Sequence, residues 1–181
     1  MKSEKNTTAH PAATVIPVRN NGRGLEVLLL KRNPDLAFHG GAWVFPGGRI
    51  DPGDYTQAGT ADIIDAARMA AVREAREEAS LEIAPETMIW ISRWTTPRGF
   101  PKRFEAWFFL ADAAGQAVQV DGGEIHAARW MSPDQAIRDH EQGRLRLPLP
   151  TYVSVEMLIP YRDVRSALRA FSERQPLICD G

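Results

Sequence analysis

Two segments of the chain carry most of the information about its fold: Phe45-Pro46-Gly47-Gly48-Arg49-Ile50-Asp51-Pro52-Gly53-Asp54 and Arg73-Glu74-Ala75-Arg76-Glu77-Glu78. The first is rich in glycine and proline and carries acids, which is typical of a loop. The second lies within residues 61–80, which contain no glycine or proline, are rich in alanine, and repeat apolar residues at helical spacing. The sequence therefore predicts a loop followed by a helix, with Thr60 or Asp62 as the N-cap.

Three glutamates of the predicted helix, Glu74, Glu77 and Glu78, share one face. A helix turns by about 100° per residue, so the three carboxylates fall within an arc of roughly 100°. Mg²⁺ and Mn²⁺ prefer oxygen ligands, and this face is therefore a candidate cation site. An ordinary solvated helix surface is the alternative, because like charges at these spacings cost only about 0.2–0.5 kcal/mol per exposed pair.

Apolar patterning and turn residues elsewhere predict strands over residues 14–18, 26–31, 43–45, 88–95, 104–111 and 127–131. Ser132, Pro133 and Gln135 form a capping-box pattern, which predicts a helix reaching to about residue 142. Residues 151–172 have helical spacing interrupted by Pro160, which indicates two short helices. Together these elements predict a mixed α/β domain.

The composition limits the functional classes. With 181 residues, 44% of them hydrophobic, the chain can bury one core, and we expect a disordered tail over residues 1–11 and a single domain over residues 12–181. A net charge of −1 gives no electrostatic footprint for nucleic acid or an anionic membrane. The sequence contains no run of about 18 apolar residues, so it predicts no membrane span. The single Cys179 rules out an intrachain disulfide and fits a cytoplasmic setting.

The loop and the helix together resemble the Nudix box, whose pattern runs Gly, five residues, Glu, seven residues, Arg-Glu-apolar-x-Glu-Glu-x-Gly-apolar. The matching residues are Gly48, Arg73, Glu74, Ala75, Glu77, Glu78 and Leu81. Asp54 stands where the family has its first Glu, 18 residues rather than seven separate it from Arg73, and Ser80 replaces the closing Gly. The 11 extra residues are about three helical turns, so a helical insertion would keep the glutamates in phase.

Flanking segments extend the resemblance over about residues 12 to 142. They are residues 28–32 before the box, residues 94–97, 103–104 and 108–109 after it, and Glu124 followed by Arg129 and Trp130. These segments look like a Nudix branch with an enlarged box, some of whose members are coenzyme A diphosphatases. The resemblance implies an α/β/α sandwich with a mixed sheet. It also implies a metal-dependent hydrolase that cleaves the diphosphate linkage of a nucleoside diphosphate derivative.

The resemblance further implies roles for single residues. Mg²⁺ or Mn²⁺ is expected on Glu74, Glu77, Glu78 and the backbone of Gly47. Either Glu74 or Glu124 is expected to accept a proton from water, with Glu124 also a candidate metal ligand, and Arg73 to orient a carboxylate by ion pairing. The expected substrate contacts are Arg32, Arg103, Gly48 and Asp54.

The substrate stays open at this point. Coenzyme A or acyl-CoA, NADH, ADP-ribose, nucleotide sugars and dinucleoside polyphosphates are comparable candidates. A motif of coenzyme A cleavers is only partly present: Gly41, Phe45, Gly47 and Gly48 match it, whereas Asn33 and Ala37 replace its serine and its basic residue. Two other hypotheses remain, a nucleotide-sensing module without catalysis, and an interaction domain in which residues 145–152 form a homodimer or partner surface.

Overall fold

The computed structural model describes residues 8–36 and 39–181. In this part of the chain the strands are β1 (His10–Asn21), β2 (Gly24–Arg32), β3 (Trp43–Val44), β4 (Gly47–Arg49), β5 (Ile89–Thr95), β6 (Phe104–Asp112), β7 (Ile125–Met131) and β8 (Leu177–Cys179). The helices are α1 (Pro52–Ala58), α2 (Ile63–Ala79), α3 (Pro133–Glu141), α4 (Leu149–Glu156) and α5 (Val164–Ser172), with a 3₁₀ turn at Pro85–Thr87. No described helix combines the length and the apolar sequence that a bilayer crossing requires.

The strands form one mixed sheet in the order β3-β2-β1-β6-β5-β8, with β4 added to β1 and β7 to β2. The pairs β1–β6 and β5–β8 are parallel, and the other pairs are antiparallel. Thr14 on β1 pairs with Gly47, and Arg32, the last residue of β2, pairs with Ile125. This register brings the end of β2, strand β4 and the start of β7 to the same end of the sheet.

Helices cover both faces of the sheet, because successive strand residues point to opposite sides. On one face Leu28 and Leu30 of β2 pack in a core with the buried alanines of α2. On the other face Val27 and Leu29 pack in a second core that includes Val155 of α4 and Phe171 of α5. These two cores confirm the predicted α/β/α sandwich with a mixed sheet.

The predicted strands and helices are all present, with ends shifted by a few residues. The 11-residue insertion, however, does not add turns to α2. It contributes the separate helix α1, which ends at Gly59 with a left-handed backbone (φ 66°). Helix α2 then starts afresh, with Asp62 accepting a hydrogen bond from Ile64 N at 2.7 Å. Residues 47–49, predicted as loop, form strand β4, and β8 was not predicted.

The ends of the domain differ from the expected boundaries. Strand β1 begins at His10, which pairs with Phe104, so His10 and Pro11 belong to the sheet and not to the tail. Of the rest of that tail, residues 8 and 9 belong to no strand or helix, and residues 1–7 lie outside the described residues. Within the proposed interaction segment 145–152, Leu145 and Leu147 are buried in the core, whereas Leu149 is exposed. That segment is therefore mainly a packing element, and it offers one exposed leucine.

Candidate active site

Helix α2 packs its glutamates against strand β4. Glu78 is buried, and its Oε2 accepts a hydrogen bond from the backbone N of Gly47 at 2.9 Å. Burial first, and then the nearby charges of Glu74 and Glu124, raise the pKa of Glu78 to about 8 against the opposing effects of the Gly47 N–H and Arg32. A buried carboxylate among other carboxylates is a place where a cation relieves the repulsion.

Glu74 lies directly over the backbone of Gly48. A Cβ built on Gly48 would fall 2.1 Å from Glu74 Oε1, closer than any atoms can approach. The absence of a side chain at Gly48 therefore allows this carboxylate to rest on the strand. Burial raises the pKa of Glu74, and the hydrogen bond and charge of Arg73 oppose that rise.

Arg73 is the centre of a hydrogen-bond network. Its guanidinium donates to both carboxylate oxygens of Asp54 at 3.1 Å, to Glu74 Oε1 at 2.8 Å and to the backbone oxygen of Arg49 at 2.9 Å. These contacts raise the pKa of Arg73, with the Asp54 hydrogen bond as the largest cause. The hydrogen bond from Arg73 holds one oxygen of the Glu74 carboxylate, so Arg73 orients this side chain.

Asp54 was expected to contact substrate, and its environment does not fit that role. Its side chain is only 2% exposed. Both of its oxygens accept from Arg73, and Oδ2 also accepts from the backbone N of Asp51 at 2.8 Å. The insertion helix α1 buries Asp54 against α2, and the carboxylate anchors Arg73 there.

Glu77 is more exposed than its two neighbours. Its side chain is 59% exposed and lies 3.4 Å from Arg73 Nη1, as the i, i+4 spacing on a helix permits. Throughout residues 8–36 and 39–181, no group of three or more His, Cys, Asp or Glu side chains is arranged to hold a metal ion. The expected trio of glutamates is therefore assembled only in part. Glu74 and Glu78 of α2 pack against strand β4, whereas the Glu77 side chain is exposed to solvent.

Glu124 approaches this cluster from the loop before β7. Its charge acts on the pKa of both Glu74 and Glu78, and its Oε2 lies 3.7 Å from Arg32 Nη2. The Arg32 side chain is 18% exposed, and its buried Nε has no hydrogen-bond partner among the described residues. Arg32 therefore places a positive charge and an unused donor beside the carboxylates.

Asp121 holds the loop that carries Glu124, and the sequence did not identify it as a site residue. Its carboxylate accepts from the backbone N atoms of Gly123, Glu124 and Ile125 at 3.2, 2.9 and 2.9 Å. Burial alone would raise the pKa of Asp121, but these backbone hydrogen bonds together outweigh it and lower that pKa. The Asp-Gly-Gly sequence predicts such a turn, although it does not reveal which side chain the turn presents.

Arg103 lies beside a different strand from Arg32. It precedes β6, two strands from β2 in the sheet order, and its Nε donates to the backbone oxygen of Thr96 at 3.0 Å. Its guanidinium is thus held at the turn between β5 and β6, whereas Arg32 contacts the glutamate cluster. Of the two arginines expected to contact substrate, Arg32 lies beside Glu124, and Arg103 is hydrogen-bonded to Thr96.

Comparison with known proteins agrees with this architecture. A structure of a NUDIX hydrolase from Alicyclobacillus acidocaldarius superposes with a TM-score of 0.82 at 23% identity, over 94% of this chain and 100% of that one. A Caenorhabditis elegans protein that carries the name nudix hydrolase 7 is 24% identical over 76% of this chain and 57% of its own length. A Schizosaccharomyces pombe protein also named as a nudix hydrolase is 42% identical over 43 residues, which are 24% of this chain and 15% of that protein.

The chain thus spans little more than half of one of these two relatives and a small part of the other. The family model of the NUDIX domain matches residues 8–149, most of the chain. This match includes β4, both helices of the enlarged box and the loop that carries Glu124. The chain belongs to the Nudix hydrolase superfamily.

Proposed function

We propose that this chain is a divalent-metal-dependent hydrolase that cleaves the diphosphate linkage of a nucleoside diphosphate derivative. One observation carries the proposal. Glu74 and Glu78 lie against the backbone of Gly48 and Gly47, and Glu124 faces them from a second loop. A cluster of carboxylates next to an arginine is suited to holding cations and phosphate oxygens together.

The donor atoms fit Mg²⁺ or Mn²⁺, since both ions prefer oxygen ligands. Glu74, Glu77, Glu78 and the backbone carbonyl of Gly47 would hold the ion. Glu77 is exposed and its contact to Arg73 is long, 3.4 Å, so its side chain can rotate toward the other two. A divalent ion bound there supplies positive charge to the diphosphate oxygens and makes the attacking water more acidic.

The residues of the chain itself divide the remaining tasks. Glu124 accepts the proton of the attacking water, and Glu74 is the second candidate for that role. Arg32, whose Nη2 lies 3.7 Å from Glu124, neutralises a phosphate oxygen through the charge of its guanidinium. Arg73 is a positioning residue, because its donors are already used by Asp54, Glu74 and Arg49.

The substrate candidates are coenzyme A or acyl-CoA, NADH, ADP-ribose, nucleotide sugars and dinucleoside polyphosphates. Asn33, which replaces the serine of the coenzyme A motif, donates from its side chain to the backbone oxygen of Gly123 at 3.1 Å. This residue therefore helps to place the Glu124 loop. That contact is compatible with each substrate and favours none of them.

The test is a panel of these compounds incubated with purified protein and Mg²⁺ or Mn²⁺, with products identified by mass spectrometry. We expect a nucleoside monophosphate or a phosphorylated fragment as product, and we expect chelator to stop its formation. Glu78→Gln should lower kcat at least a hundredfold while circular dichroism and Tm show an intact fold. Glu86→Gln is the matched control, because Glu86 lies on the exposed 3₁₀ turn.

Two results would overturn the proposal. The first is turnover that does not depend on metal, seen either as full activity of both Glu77→Gln and Glu78→Gln or as activity that chelator does not reduce. The second is saturable binding of a nucleoside diphosphate derivative without any product, which would assign the chain to the nucleotide-sensing class.

A further inference from the structure

A cavity lies on the face of the sheet opposite Glu74 and Glu78. Lys31 and Trp43 line it from the paired strands β2 and β3, and residues 143–146 close it after α3, together with His140. Trp43 belongs to the core on the α3–α5 side, whereas α2 packs on the other side. The cavity measures about 460 Å³, a size that accommodates a phosphate group and part of the molecule that carries it.

The walls of this cavity carry excess positive charge. Lys31, Arg144 and Arg146 line it, and no acidic residue does. Arg144 is neutralised by the buried Asp139, to which its Nε donates at 2.8 Å. Arg146 donates to the neutral backbone oxygen of Gly40 at 2.8 Å, and Lys31 forms no salt bridge with any residue that the structure describes. Two cationic side chains therefore face the cavity without a counter-charge, in a chain whose net charge is −1.

Two histidines lie in or beside this cavity. The pKa of His39, in the adjoining loop, is lowered by burial first and then by the charges of Arg146 and Arg32. His140 accepts a hydrogen bond at Nδ1 from the backbone N of Leu147 at 3.1 Å. That bond leaves the Nε2–H of neutral His140 as a donor. The cavity thus combines positive potential with hydrogen-bond donors.

Two glycines keep the cavity open. Gly41 and Gly143 line it with left-handed backbones (φ 72° and 68°), and a Cβ built on either would have no atom within 4 Å. Neither position therefore places a side chain in the cavity that both glycines line. A ligand can therefore reach Lys31 and Arg146 without displacing a side chain at either glycine.

We infer that this cavity is an anion site that binds the phosphate monoester of a nucleotide or related phosphorylated metabolite. Lysine and arginine pair with phosphate through charge-assisted hydrogen bonds, and here the surplus charges, the His140 donor and the volume coincide. Lys31 directly precedes Arg32, whose guanidinium lies at the glutamate cluster on the other face. The phosphate can accordingly belong to a remote part of the substrate that is cleaved there, or to a separate nucleotide. The site itself does not depend on hydrolysis.

The experiment uses the full chain in EDTA, with AMP as the probe, so that metal binding and turnover do not contribute. Calorimetry gives the affinity, and ¹H–¹⁵N NMR spectra locate the probe through the amides of Gly41 and Gly143. We expect saturable binding with shifts at both amides. Lys31→Gln should weaken it about tenfold, because a hydrogen bond to a charged group is typically worth that factor.

Matched controls separate this site from general electrostatics. Arg165→Gln removes one positive charge from the exposed surface of α5 and should change the affinity less than about twofold. Arg146→Gln should act like Lys31→Gln, with the circular dichroism spectrum confirming that its loop still folds. Absence of saturable binding, shifts confined to residues outside the cavity, or an equal loss in Arg165→Gln would each overturn the inference.

The source of the phosphate is then distinguished by kinetics with the metal-loaded protein and an identified substrate. Competitive inhibition by AMP, together with a raised KM in Lys31→Gln, assigns the cavity to the substrate. Noncompetitive inhibition or activation assigns it to a separate nucleotide. Either pattern supports the anion site, and a protein that binds AMP but hydrolyses nothing would refute the proposed function alone.

Discussion

Arg73 and Asp54 join two helices through a two-point contact, Nε to Oδ1 and Nη2 to Oδ2, each at 3.1 Å. Asp54 belongs to α1, the helix that the insertion creates, and Arg73 belongs to α2. The same guanidinium holds Glu74 at 2.8 Å. The insertion is thus connected through one buried ion pair to a carboxylate of the candidate site.

Asp54→Ala should therefore affect both stability and activity. The change removes two hydrogen bonds of Arg73, whose guanidinium keeps Glu74 and the backbone oxygen of Arg49, so we expect a loss of about 1–3 kcal/mol in the free energy of unfolding. Denaturant unfolding measures that loss, and kcat should fall because Glu74 loses its fixed neighbour. Asp51→Asn is the control, since Asp51 is 62% exposed and 3.8 Å from Arg73. Equal effects of the two variants would contradict the assignment.

The two glycines of β4 should respond differently to alanine. In Gly48→Ala the new Cβ meets the carboxylate of Glu74, a flexible end that can move, so we expect a small change in Tm and a loss of metal affinity. In Gly47→Ala the Cβ meets the backbone, 2.6 Å from the oxygen of Ala13, so we expect destabilisation of about 1–3 kcal/mol. Thermal unfolding and metal titration separate the two effects.

Gly53→Ala is the control for both variants. It lies in α1 with open space around the added Cβ, and alanine should stabilise that helix by about 0.5–1 kcal/mol. Normal metal affinity in Gly48→Ala would show that Glu74 does not need its place over the strand.

Asp121→Ala should lower kcat more than it changes metal affinity, because Asp121 positions the loop that carries Glu124, the residue proposed to accept the proton. Asp121→Asn keeps one acceptor oxygen and should recover part of the activity. If Asp121 acts through Glu124, the double variant with Glu124→Gln should be no slower than Glu124→Gln alone. Additive losses would assign Asp121 a separate role.

Asp139 gives the chain a defined pH dependence. The hydrogen bond from Arg144 is the largest cause that lowers the pKa of Asp139. A carboxyl group with a lower pKa in the folded state stabilises the fold above its unfolded pKa of about 3.9, and that contribution is lost as the pH falls through the folded value. The Tm difference between the native chain and Asp139→Asn should therefore be largest above about pH 5 and shrink toward pH 2. Glu141→Gln, an exposed carboxyl on the same helix, should show no such trend.

Several parts of the structure could be predicted because they depend on local sequence. Helix α2 follows from its alanines and its Asp62 cap, and the residues of β2 follow from an apolar run bounded by turns. Helix α1 was missed because Pro52, Gly53 and Gly59 suggest a loop. Proline at the first helical position and glycine just past the end are, however, what a short helix requires. Ser80 adopts the left-handed backbone (φ 56°) at the end of α2, where the family pattern has glycine.

By itself, the sequence determined the longer strands and helices and the shared helical face of Glu74, Glu77 and Glu78, since both follow from periodicity within a few turns of chain. The tertiary structure decided which side chains meet: that Asp54 is buried under Arg73, that Glu78 rests on Gly47, and that Arg32 reaches Glu124. These contacts join residues 19, 31 and 92 positions apart. They are fixed by strand register and by packing of helices on the sheet, and no local pattern of residues records either.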